Sequence, residues 1–232
     1  MMSFQDRSVV ITGAAGHLGR AVVQHFAQAG ARLVLLDRRA EALAQAFGTQ
    51  HLQIATDLLD ADDTRAAVQS AVRQHGRLDV LCHLAGGFHM GEPVHETPAG
   101  AWQQMLDINA RSLLNVAHAV VPEMLARGGG RIVAVGAFAA QKGAAQMGAY
   151  VAAKAAVIRL VESMSAELRE QGIGVNCVLP TIIDTPDNRR AMPEADPARW
   201  VAPAALAEVI GFLASDAARA VHGAALPVTG LS

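Results

Sequence analysis

The chain has 232 residues and only two cysteines, Cys82 and Cys177. That scarcity excludes a disulfide scaffold. Both lie in apolar, strand-like runs, where buried free thiols of a reducing compartment are expected. Nothing in the sequence supports a bridge between them. Charge is sparse as well: 17% of residues are charged and the net charge is −2. There is no basic stripe to hold nucleic acid and no acidic tail to hold a basic partner. No apolar run is long enough to span a bilayer. The first residues run straight into an apolar strand without a charged-then-apolar signal region, so a cytoplasmic protein with no membrane partner is expected. The nine histidines make no metal spacing. His83, His89 and His95 fall at a strand end and in a loop, so no metal is expected, and His83 reads as a hydrogen-bonded side chain. Linkers, repeats and low-complexity tracts are missing. Gly128–Gly130 reads as a turn, and residues 1–232 read as one domain.

What is present is apolar and alternating. Hydrophobic residues make up 52% of the chain, enough for a full α/β core. Short apolar runs predict strands at 8–12, 32–36, 51–56, 79–84, 131–135, 174–179 and 224–228. Helical patterns lie between them, at 20–29, 60–75, 101–126, 150–170 and 203–215. Such alternation implies a parallel sheet wound by helices on both faces. The exception is 181–202, with Pro186, Pro193 and Pro197. A long irregular loop of this kind is expected to be a lid. In such a fold, ligands bind beyond the carboxyl ends of the strands.

Two motifs sit at those ends. The first strand runs into Gly13, Gly16 and Gly19, and a helix follows. A turn of this type lets the backbone approach a pyrophosphate, which the helix N-terminus around His17 and Leu18 would hold. His17 could reach a phosphate or simply be solvated. Asp37, at the end of the second strand, would bond a ribose 2′-hydroxyl and repel a 2′-phosphate. NAD(H) is therefore expected, while Arg38 and Arg39 leave NADP(H) open. The second motif is Tyr150 with Lys154, four apart on one helix face. An ammonium near a phenol favours the phenolate, so Lys154 is expected to tune Tyr150 for proton transfer.

Together with Asp57, Ala85-Gly86, Asn109, Pro180 and Thr185, these residues resemble the short-chain dehydrogenase/reductase family over essentially the whole chain. The resemblance implies a Rossmann-type doubly wound sheet and a small-molecule substrate. It places Asp57 at the adenine, although Asp57 could instead cap a helix. It places Asn109 at a water leading to Lys154, and Lys154 at the nicotinamide ribose. Ala85, Gly86, Pro180, Ile183 and Thr185 would line the cofactor, with Thr185 at the carboxamide. Pairing through helices is usual in the family. The apolar faces of 101–126 and 150–170 therefore predict a homodimer or homotetramer.

The departures carry information too. The family's catalytic Ser would fall at position 137, which is Ala137, and no hydroxyl lies within two residues of it. The segment after the fourth strand is His83-Leu-Ala-Gly86, and Thr181 follows Pro180. One branch, the quinonoid dihydropteridine reductases, lacks the Ser as well. The run from Leu179 to Trp200, the segment Ala85–Phe88 and Gly136-Ala137 resemble that branch. The resemblance implies an NADH-dependent reductase of a quinonoid or conjugated ring, with Ala137, Phe88, Asn188, Arg189 and Trp200 near the substrate. Phe88 and Trp200 could flank a planar ring or only pack. A carbonyl, alcohol or quinone dehydrogenase lacking its Ser is the alternative. A non-catalytic dinucleotide sensor is the alternative from another class.

Overall fold

The computed structural model describes residues 3–232. Its strands are β1 (Ser8–Thr12), β2 (Arg32–Asp37), β3 (Leu52–Ala55), β4 (Val80–His83), β5 (Gly130–Val135), β6 (Ile173–Pro180) and β7 (Ala225–Val228). They form one sheet in the order β3-β2-β1-β4-β5-β6-β7, and every pairing is parallel. The order reverses at β1 and β4, which makes the carboxyl ends of those strands a natural crevice.

The strands are continuous apolar runs because both faces of the sheet are covered. Val10, Leu81, Ile132 and Val175 pack on one face with α3 (Ala61–His75), α5 (Ser112–Arg127) and α6 (Gly148–Leu168). Ile11, Cys82, Val133 and Val178 pack on the other with α1 (His17–Gln28) and α8 (Pro203–Ala214). Cys82 and Cys177 are free and buried, on opposite faces. Burial pushes both thiols up, Cys177 to about 12.

Four sequence expectations change. A helix at Ala40–Phe47, α2, was not foreseen. Asp60, not Asp57, caps α3, accepting from Asp62 N and Asp63 N. The stretch 101–126 is not one regular helix. It is α4 (Ala99–Leu106), a π turn (Asp107–Arg111) and α5. The region 181–202 is less irregular than its prolines suggest. Thr185 caps a short helix, α7 (Pro186–Ala191), with Pro186 at its first position, where proline's fixed φ fits. A parallel bridge between Ile183 and Val201 closes the loop on itself. Among the described residues no helix is long and apolar enough to cross a membrane.

Candidate active site

The glycine turn leaves β1 with Gly13 at φ +64°, a conformation that side chains disfavour. A Cβ there would lie 3.0 Å from Ala85 N, so Gly13 also lets β1 and β4 end side by side. A Cβ at Gly19 would meet Gly13 O at 2.3 Å; only glycine lets α1 seat on the turn. Gly16 precedes α1, and no side chain caps that helix. His17 and Leu18 open it, His17 exposed. Its first amides thus face the turn without a side-chain acceptor. Asp37 ends β2 beside this turn, and its carboxylate accepts from Ala15 N at 3.1 Å and Arg39 N at 3.2 Å. A glycine cradle, an uncapped helix start and an anchored carboxylate fit a dinucleotide. Asp57 follows β3, exposed, its carboxylate accepting from Leu59 N at 3.0 Å. Arg39 stands 3.9 Å from Asp37, and its charge lies where the sequence left NADP(H) open.

The second group gathers at the ends of β4 and β5. Lys154 is buried and donates to Val135 O at 2.8 Å. Asn109 sits in the π turn, a feature common at functional sites. Its amide takes both backbone groups of Gly87, with Oδ1 accepting from Gly87 N and Nδ2 donating to Gly87 O, each at 3.2 Å. Nδ2 also donates to Met105 O at 3.0 Å. A Cβ on Gly86 would be 2.8 Å from Asn109 Oδ1 and 3.1 Å from Lys154 Nζ. Gly86 therefore stands where both polar groups meet. Phe88 is 58% exposed, and its ring meets Tyr150 edge-on at 4.9 Å.

The electrostatics correct one expectation. Burial pushes the Tyr150 phenol up to about 12 and pulls the Lys154 ammonium down to about 8. One N–H of Lys154 goes to Val135 O, and burial raises the phenol where proximity to an ammonium was expected to lower it. Tyr150 is therefore a protonated phenol at neutral pH. Burial, with the nearby Lys154 charge, also takes His83 down to about 3; that ring is neutral.

Ala137 follows β5 in extended conformation, buried, and presents only a methyl group. The 181–202 segment reaches the cofactor cradle, since His17 Nε2 lies 3.5 Å from Asp187 Oδ2 in α7. Pro180 ends β6, and Ile183 bridges to Val201. Thr185 and the expected substrate residues in this segment are engaged within it. Thr185 Oγ1 accepts from Asn188 N at 3.2 Å, and Asn188 donates to Ile183 O at 2.8 Å. Arg189 forms a two-point pair with Asp184 at 2.6 and 2.7 Å. Trp200 is 7% exposed, so little of its ring is open to a ligand. Of the substrate residues named from sequence, Phe88 stands against Tyr150 and Ala137 follows β5 two residues after Val135, while Asn188 and Arg189 are bonded within the 181–202 segment. Sequence reasoning missed Val135 and Gly87, whose contributions are backbone atoms, and Asp187.

Residues 7–196 match the short chain dehydrogenase family. The chain belongs to that family. It is 36% identical over 241 residues to a cis-4-hydroxycyclohexanecarboxylate dehydrogenase of Sinomonas cyclohexanicum, covering 98% of this chain and 97% of that enzyme. It is 33% identical to a D-threitol dehydrogenase of Mycolicibacterium smegmatis, covering 95% of this chain and 90% of that one. Among solved structures, NAD+-bound xylitol dehydrogenase superposes with a TM-score of 0.91 at 27% identity, covering 98% of this chain and 99% of the other. Carveol dehydrogenase from Mycobacterium avium, in complex with NAD, gives 0.90 at 29% identity, covering 99% and 98%. The chain is thus an oxidoreductase of the short-chain type, and those two structural neighbours hold NAD.

Proposed function

We propose that this protein is an NADH-dependent reductase of a conjugated, quinonoid ring, of the kind reduced by dihydropteridine reductases. The observation that carries the reading is the buried methyl of Ala137 in the position of the family's Ser. Reducing a ketone builds a localised alkoxide, and a missing donor to it typically costs on the order of 10²–10³ in rate. A quinonoid ring spreads the incoming charge over its nitrogens and asks for no such donor. When bound, the dinucleotide supplies the hydride. Tyr150, kept protonated by burial, suits the proton donor that reduction requires. Lys154 and Asn109 hold the neighbouring polar positions, and Phe88 offers an apolar edge beside the phenol. The thirty-odd per cent identity to an enzyme named for a hydroxylated cyclohexane ring favours a second reading, a cyclic alcohol or ketone dehydrogenase working without the Ser. A non-catalytic sensor would not need Tyr150, Lys154 and Asn109 together.

The deciding experiment is a steady-state screen with NADH and NADPH against quinonoid dihydropterin, quinones and cyclic ketones. The first reading expects turnover of the conjugated rings. Turnover confined to the ketones supports the second. No turnover of any of them would leave only the sensor. NADH should outperform NADPH because Asp37 would face a 2′-phosphate, and Asp37→Ala should narrow the gap. Equal kcat/KM for the two cofactors in the native enzyme would rule that assignment out.

The protein would assemble as a homodimer or homotetramer. Trp102 on α4 and Leu114 and Leu125 on α5 are exposed apolar side chains that a second copy would cover. A monomer at micromolar concentration in light scattering would refute this. A reducing compartment such as the cytoplasm suits the two buried free thiols.

A further inference from the structure

His83 lies buried at the end of β4, between Thr12 of β1 and Ser112 of α5. The neighbours of this contact fix where its protons lie. Thr12 Oγ1 accepts the N–H groups of Leu84 and Ala85 at 3.1 and 3.2 Å. Its lone pairs are spent, and its own proton is left to donate. The recipient is His83 Nδ1 at 3.1 Å, which must therefore be bare. At the other end, the Ser112 backbone N–H bypasses Ile108 and bonds Asp107 O. The Ser112 hydroxyl takes Ile108 O instead, at 2.7 Å. With its proton committed there, Ser112 Oγ can only accept from His83 Nε2, 3.3 Å away. The two ends demand the same tautomer independently.

We propose that His83 is a positioning residue: as the neutral Nε2–H tautomer it carries a one-way hydrogen-bond chain from Thr12 to Ser112 that pins the π turn bearing Asn109. The proposal rests on the catalytic-group reading of Asn109 given above. The turn is the less stable form of helix, and side chains supply what its ladder omits. Ser112 takes Ile108 O and Asn109 takes Met105 O. If Ser112 is released, nothing polar ties the turn to the end of β4 from that side. Asn109 could then drift from Gly87 and from Lys154. A misplacement of about 1 Å can cost on the order of 10²-fold in rate.

The test uses the full-length protein with 15N-labelled histidine. Long-range 1H–15N spectra between pH 6 and 9 should show one ring, assigned by its loss in His83→Asn, as neutral with Nε2 protonated throughout. An Nδ1–H tautomer or an imidazolium in that range would overturn the proposal, whatever the substrate proves to be. Ser112→Ala should lower kcat about 10-fold or more, leave the KM for NADH within about 2-fold, and shift the Gly87 amide resonance. Ser112→Thr, which keeps the hydroxyl, should restore kcat. A purely structural role predicts the contrary: a lower melting temperature in Ser112→Ala with kcat and the Gly87 resonance unchanged.

Discussion

The amino ends of the strands and the Tyr150–Lys154–His83 cluster at their carboxyl ends treat charge in opposite ways. At the amino ends of the strands, Arg7 pairs with Asp216. Arg77 grips Asp79, which also accepts from Ser8 N at 2.8 Å. Asp79 and Asp216 each have an arginine beside them, and both are held below the usual carboxylate range, against the pull of burial, by hydrogen bonds from those arginines. At the carboxyl ends, Lys154 is buried without a carboxylate, against a backbone carbonyl. Tyr150 is raised and His83 neutralised by burial. Paired charge at one end serves the fold. Unpaired, desolvated groups at the other are what a proton-transfer site requires.

The largest effect that contrast predicts is on rate. Tyr150→Phe should lose a factor of roughly 10²–10⁴ on the true substrate with little change in melting temperature, measured by NADH oxidation and calorimetry. A variant retaining more than a tenth of the native rate would remove Tyr150 from the chemistry.

The next effect is on stability against pH. The Lys154 ammonium titrates at about 8 in the fold, against 10.5 unperturbed. Between those values the unfolded chain binds more protons, so the Lys154 contribution to stability rises with pH. Relative to Lys154→Met, the native protein should gain about 2–3 kcal/mol between pH 8 and pH 10.5. A gap that stays flat across that window would mean that Lys154 is not desolvated. Lys154→Met should also be inactive.

Asp79→Asn probes the other end. It weakens the Arg77 pair and should cost about 1–2 kcal/mol, reduced by the partial exposure of Arg77. This contribution is present above the unperturbed carboxylate range and fades as acid protonates Asp79 in the fold. kcat should not move. A fall in kcat without loss of stability would erase the contrast between the two ends.

Most of this arrangement was legible in the sequence. Apolar runs long enough for doubly covered strands, separated by helical patterns, gave the sheet. The three glycines, Asp37, Tyr150 and Lys154 gave the crevice. What stayed hidden has physical causes. Helix α2 is preceded by Arg39, which offers no side-chain cap, so no start signal marks it. The π turn at Asn109 fits a helical pattern and shows only in its hydrogen bonds. Thr185-Pro186 was a readable helix start inside a segment dismissed as irregular. The Tyr150 shift could not be read from spacing, because it depends on how deeply the phenol is buried. Arg189 and Asn188 had the right chemistry for a ligand, but Asp184 and Ile183 O lay closer.

The central claim is that this site protonates a conjugated ring through Tyr150 without a donor at position 137. The most direct measurement compares kcat/KM for quinonoid dihydropterin and for a cyclic ketone in the native enzyme and in Ala137→Ser. The account predicts that the pterin value changes less than about 2-fold, while any ketone activity rises by up to the 10²–10³ that such a donor supplies. A large gain on the ketone from an enzyme with no pterin activity at all would contradict it, and would mark the chain as a ketone reductase that has lost its Ser.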